Sequence, residues 1–141
     1  MAGFRFLEHT SDVYIEASGD TLENAFIHAA NALFETMTDL KSIEPKESHQ
    51  IKIKSEDLNA LLFDWINQFL YFFDVNEFVF SKFEIEIKKV GSGYELWGTC
   101  WGERFDPQKH PARTEIKAPT YSLMEIIQDH MGVVLRFVVD I

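Results

Sequence analysis

Two aspartates near opposite ends of the chain carry the oxygen chemistry most easily turned to a purpose. Asp12 closes the string HTSD at residues 9–12 and opens the alternating run Val13, Tyr14, Ile15, Glu16, Ala17, whose period of two is that of a half-buried strand. Asp140 stands beside the terminal Ile141, so a side-chain carboxylate and a main-chain carboxylate fall one residue apart. Hard oxygen donors of this kind suit Mg²⁺, Mn²⁺ or Ca²⁺. Each aspartate also has an ordinary explanation. Asp12 can be a turn former that accepts backbone hydrogen bonds at a strand's entry, and Asp140 can belong to a frayed, solvated end. Spacing alone leaves both open.

A second concentration of reactive side chains lies in WGERFDPQKHPARTEIKAPTY, residues 101–121, with Glu103, Asp106, His110, Glu115, Lys117 and Tyr121. Strand alternation would put Glu115 and Lys117 on one face. A lysine there could meet an anion such as a phosphate, or simply complete a cross-strand ion pair on a wet face. The five histidines include no HxxxH pair, so a zinc site is not expected. Cys100 is the only cysteine; it allows no intrachain disulfide and no CxxC motif, and fits a reducing, cytoplasmic setting. No phosphate-binding GxxxxGK[ST], no GxSxG and no Cys–His catalytic motif is present. A self-sufficient enzyme is therefore not expected.

The elements that must position these residues are legible as periodicities. Leu22, Ala25, Phe26, Ala29, Ala30, Leu33, Phe34 and Met37 form a one-face helical stripe, with Asp20 and Glu23 in a capping arrangement at its start. Leu58, Leu61, Leu62, Trp65, Ile66, Phe69, Leu70 and Phe73 form a second, with Ser55 as candidate N-cap. Phe63, Tyr71 and Phe72 lie off that stripe, so the second helix is packed between layers or partly open to a partner. HQIKIKS alternates as a one-sided strand; FSKFEIEIKKV, GSG and YELWGTCWGERF read as a hairpin. RTEIKAPTYSLMEIIQ, the HMG turn and VVLRFVVDI read as further strands. The expected fold is α+β, a single layered domain over residues 1–141 with two amphipathic helices packed on an antiparallel or mixed sheet of about seven strands.

Composition narrows the functional classes. With 46% hydrophobic and 26% charged residues and thirteen phenylalanines, the chain is too apolar for disorder. A net charge of −10 repels polyanions, so direct nucleic-acid binding is not expected; a metal ion or a basic protein partner suits it better. The N-terminus lacks the apolar segment of a signal peptide, and LNALLFDWINQFLYFF is interrupted by Asp64, Asn67 and Gln68, so no membrane span is expected.

Several strings in order along the chain resemble the archease family: FLEHTSDV (6–13), TLENAFIHAANALFE (21–35), LNALLFDWINQFLYFFD (58–74), GERFDPQKH (102–110), EIKAPTYS (115–122) and the closing VDI. The resemblance covers nearly the whole chain and is specific as an ordered set. It implies a small cytoplasmic protein that assists RNA-ligating enzymes, chiefly the RtcB-type tRNA-splicing ligase, by promoting guanylylation of the ligase's active-site histidine and repeated turnover. It also implies a chaperone-like effect on an RNA methyltransferase. Residue by residue, the family's divalent-metal site maps to Asp12, Asp140 and Ile141. The lysine of its EVKAxTYH motif maps to Lys117, which would engage the ligase or its nucleotide, with Glu115 and His110 as further partner-facing candidates. Where the family commonly has a histidine after that tyrosine, this chain has Ser122. Two other classes stay in view: a free-standing metal-dependent phosphoesterase using the same acids, and a small-molecule-sensing module. The absence of a recognisable nucleophile or general base favours the accessory protein over the phosphoesterase.

Overall fold

The computed structural model describes residues 2–9 and 11–141; Met1 and Thr10, the second residue of the HTSD string, lie outside them. Among the described residues, eight strands and two α-helices follow in the order β1 (Gly3–Leu7), β2 (Val13–Gly19), α1 (Leu22–Met37), β3 (Glu47–Ser55), α2 (Leu58–Asn76), β4 (Phe78–Val90), β5 (Gly93–Arg104), β6 (Ala118–Pro119), β7 (Glu125–Asp129) and β8 (Gly132–Asp140), with a 3₁₀ turn at Leu40–Ser42. The fold is α+β. Its strands form two antiparallel sheets, β1-β2-β8-β6 with β7 also on β8, and β3-β5-β4.

The division into two sheets follows from where α1 lies. It packs on β1, β2 and β8 of the larger sheet and on β4 of the smaller, so it fills the layer between them. Ala25, Ala29, Ala30 and Ala32 are all buried along it; methyl side chains let both sheets approach closely. Phe26, Leu33, Phe34 and Met37 supply the bulk. On α2, Trp65 and Phe69 meet Phe34, Phe80 and Phe83 in a continuous aromatic cluster, and the Trp65 indole N–H donates to the Phe26 carbonyl at 2.8 Å. Each such side chain contributes roughly 1.5–3 kcal/mol by leaving water, and residues of both sheets and both helices belong to one core cluster.

The helix starts differ from the sequence expectation by one or two residues. Thr21 caps α1, its hydroxyl accepting from the Asn24 N–H, while Glu23 instead accepts the Ile87 N–H across the layer at 3.1 Å. Asp57 caps α2, and Ser55 donates its hydroxyl to Asp64 at 2.7 Å. Tertiary partners outbid the local capping options in both cases. The β4–β5 hairpin forms at the GSG turn, where Gly91 has φ 60°. On β5, a Cβ at Gly102 would collide with the Val79 carbonyl, beside the register shift between Phe80 and Lys82.

Candidate site at the end of the larger sheet

The antiparallel register between β2 and β8 brings the two ends of the chain together. Val13 pairs with Val139, so Asp12, at the bend just before β2, and Asp140, the last residue of β8, lie at the same end of the sheet. On the other side of β8, Ala118 pairs with Asp140, and the Lys117 N–H donates to the Asp140 carbonyl at 2.8 Å. Lys117 is exposed, as are Asp140 and Ile141.

Three anchors hold the irregular segment that delivers Lys117. Its upstream end is fixed by a buried carboxylate, Glu103, 7% exposed, which accepts from the Glu44 N–H at 2.8 Å, from Lys109 Nζ at 2.9 Å, and meets His110 Nε2 at 2.9 Å. The Asp106 N–H donates to His110 Nδ1 at 2.8 Å; a backbone amide can only donate, so the ring proton sits on Nε2 and points at Glu103. Burial works to raise the Glu103 pKa, but the Glu44 amide, Lys109 and His110 overcome it and pull it from 4.5 down to about 2. The middle of the segment is tied to the end of α1, with the Arg113 N–H donating to the Met37 carbonyl and the Thr114 N–H to the Thr36 carbonyl, each at 3.1 Å. The third anchor is Lys117 on Asp140.

Two expectations are corrected by this arrangement. His110 is fully buried, with both ring nitrogens engaged and Phe105 stacked on it at 5.6 Å, so it does not face a partner. Glu115 and Lys117 do not lie on a continuous strand, because pairing in this segment is confined to Ala118–Pro119, and they form no ion pair among the described residues. Glu115 lines a cavity of about 250 Å³ with Asp74, Phe105 and Arg113, and Lys117 is not part of it.

Arg113 was not singled out by spacing. Its Nη1 donates to both the carbonyl and the carboxylate of Glu35, at 2.9 Å each, 78 residues away along the chain, and no local pattern announces such a pair. Together Asp12, Tyr14, Glu35, Thr36 and Arg113 line a groove of about 460 Å³ between the sheet's end and α1. Asp12 thus borders a concave surface.

Among the described residues, no group of three or more His, Cys, Asp or Glu side chains converges on one point. The two aspartates offer two carboxylates at this end of the sheet, and Ile141, just past the end of β8, offers main-chain oxygen. An all-oxygen set suits hard cations.

The Archease protein family model matches residues 4–141. The chain belongs to the archease family. It is 45% identical over 141 residues to the archease of Sulfurisphaera tokodaii, covering all of both chains, and 38% identical over 126 residues to that of Pyrococcus abyssi, covering 89% of each. The solution structure of Methanobacterium thermoautotrophicum protein 1598 superposes with a TM-score of 0.86 at 38% identity over all of both chains. The crystal structure of a Thermotoga maritima archease, described as a possible chaperone, matches in fold with a TM-score of 0.60 at 24% identity, covering 96% of this chain and 94% of that one. The archease fold thus accounts for both sheets, and among the described residues no helix is long and apolar enough to cross a membrane.

Proposed function

We propose that this archease-family chain is an accessory protein of RNA processing that promotes guanylylation and repeated turnover of an RtcB-type tRNA-splicing ligase. A chaperone-like effect on an RNA methyltransferase belongs to the same reading, in keeping with the description of the Thermotoga maritima relative. The observation that supports it best is the juxtaposition of Asp12, Asp140 and Lys117 at one end of the larger sheet. Asp12, Asp140 and Ile141 would hold a divalent ion, Ca²⁺, Mn²⁺ or Mg²⁺. Such an ion, when bound, supplies a Lewis acid for phosphate oxygens. Lys117 carries its ammonium on an exposed stem anchored by the backbone to Asp140, a compact charge suited to a phosphate or to an acidic group of the ligase. Glu115 lines the separate cavity beside Arg113.

The test is the rate of guanylylation of an RtcB-type ligase with GTP, Mn²⁺ and limiting archease-family protein. Lys117→Ala is expected to reduce the stimulation at least about tenfold, a difference of about 1.4 kcal/mol. It should leave the thermal midpoint within error, since an exposed lysine without an ion pair contributes little to stability. Lys117→Arg should rescue poorly, because a planar fork does not replace a point charge. Absence of stimulation by the unaltered protein, together with hydrolysis of simple phosphoesters by the protein alone, would replace this reading with the phosphoesterase.

A further inference from the structure

Tyr121 and Leu123 project from the same sheet edge as Lys117, 55% and 52% exposed, on a turn that is tied down throughout. The Thr120 N–H and hydroxyl both donate to the Val138 carbonyl, at 3.1 and 2.7 Å. The Ser122 N–H donates to the Thr120 hydroxyl at 3.2 Å, and the Met124 N–H to the Tyr121 carbonyl at 3.2 Å. The Tyr121 ring stacks on Phe63 of α2 with centroids 4.5 Å apart and planes 11° off parallel, so one ring face is covered and the other is left to solvent. Leu123 has φ 56°, a region in which a leucine is strained and a glycine is not. A bulky side chain is thus held at an unfavourable backbone angle with much of its surface in water, where it does little for the fold.

The chemistry around this apolar patch is acidic. Burial first, then the charges of Asp64, Asp57 and Glu56, push the Tyr121 hydroxyl's pKa up. Asp57 and Asp64 are fixed by the α2 cap and by Ser55. Among the described residues none of these three carboxylates is in an ion pair. An aromatic face open on one side, an aliphatic side chain beside it and unpaired carboxylates around them complement an arginine: its guanidinium stacks on a ring and pairs with a carboxylate in the same plane.

We infer that Phe63, Tyr121 and Leu123 form the docking patch for the protein this chain assists, and that the partner lays an arginine on the open face of Tyr121 with an apolar contact at Leu123. This rests on the accessory-protein reading and adds to it the surface and the chemistry of the partner. Rigid aromatic anchors next to charge are the usual centre of a binding hot spot.

The test is titration of a purified RtcB-type ligase with the unaltered protein and three variants. Tyr121→Ala should weaken binding at least about 30-fold. Glu56→Lys should weaken it about tenfold, mainly through slower association, with a shallower salt dependence. Leu123→Gly should also weaken it about tenfold while leaving the thermal midpoint unchanged or raised, because it relieves the backbone angle. A purely structural role for Leu123 would give the reverse, a lower midpoint with full affinity. Binding by all three variants at the level of the unaltered protein would overturn the patch and leave the accessory reading standing. Failure of the unaltered protein to bind the ligase would overturn both.

Discussion

Glu103→Ala is expected to lower the thermal midpoint by about 5 °C or more, the largest stability effect of any single change near the site. The alanine leaves the buried His110 Nε2–H with no acceptor, removes the acceptor of the part-buried Glu44 N–H, and takes one of the two carboxylates bound by Lys109. Leaving a buried donor without its acceptor costs about 1–3 kcal/mol, and a domain of this size loses a few degrees per kcal/mol. Glu103→Gln keeps an acceptor oxygen for one of those donors and should fall between the two. The same carboxylate sets an acid limb. Its folded pKa, about 2, lies below the ordinary 4.5. Its contribution is therefore complete above about pH 5 and is lost as the pH falls through 4.5 toward 2, up to about 3 kcal/mol for a shift of this size. Thermal melts across pH 7 to 2.5 check this directly. The unaltered protein should lose stability below pH 4.5 more steeply than Glu103→Gln, and parallel curves would show that the network carries no such charge dependence.

Asp12→Asn is expected to reduce divalent-ion affinity at least about 100-fold, as loss of an ionised ligand to a hard cation should. The informative comparison is between melts with and without Ca²⁺ or Mn²⁺. Without metal, the substitution removes one negative charge from a chain of net charge −10, so the midpoint should stay the same or rise slightly. With an ion at about 100 times its dissociation constant, the unaltered protein should gain about 2.7 kcal/mol, and the variant should gain almost none. A fall in the metal-free midpoint would return Asp12 to a turn former, and an unaltered protein indifferent to both ions would end the metal reading. Neither result depends on the ligase, so the metal and the partner are tested separately.

The comparison of sequence and structure is clearest residue by residue. The stripes Leu22 to Met37 and Leu58 to Phe73 became α1 and α2, and the alternation of Val13 to Ala17 became β2, because solvent imposes helical and strand periods on any segment that buries one face. The ordered strings, not any period, pointed to the archease family, and the match over residues 4–141 bears that out. Caps were less legible: Asp20 and Ser55 are good local candidates, yet Thr21 and Asp57 hold the positions, since several short polar residues in a row compete for one amide and packing selects among them.

What the sequence by itself determined is therefore the set of elements, their apolar faces and the pool of acids at Asp12, Asp140 and Ile141. Those properties belong to each segment's own contact with water. Tertiary structure alone decided which members of that pool meet. The register of β2 on β8 brings Asp12 and Asp140, 128 residues apart in number, to one end of the sheet. The anchoring of a strandless segment brings Lys117 to Asp140 and leaves Glu115 elsewhere, and the burial of Glu103 takes His110 inside. Pairing, register and burial depend on the whole chain closing on one core, and a one-residue change in the register of β8 would send its side chains to the opposite face.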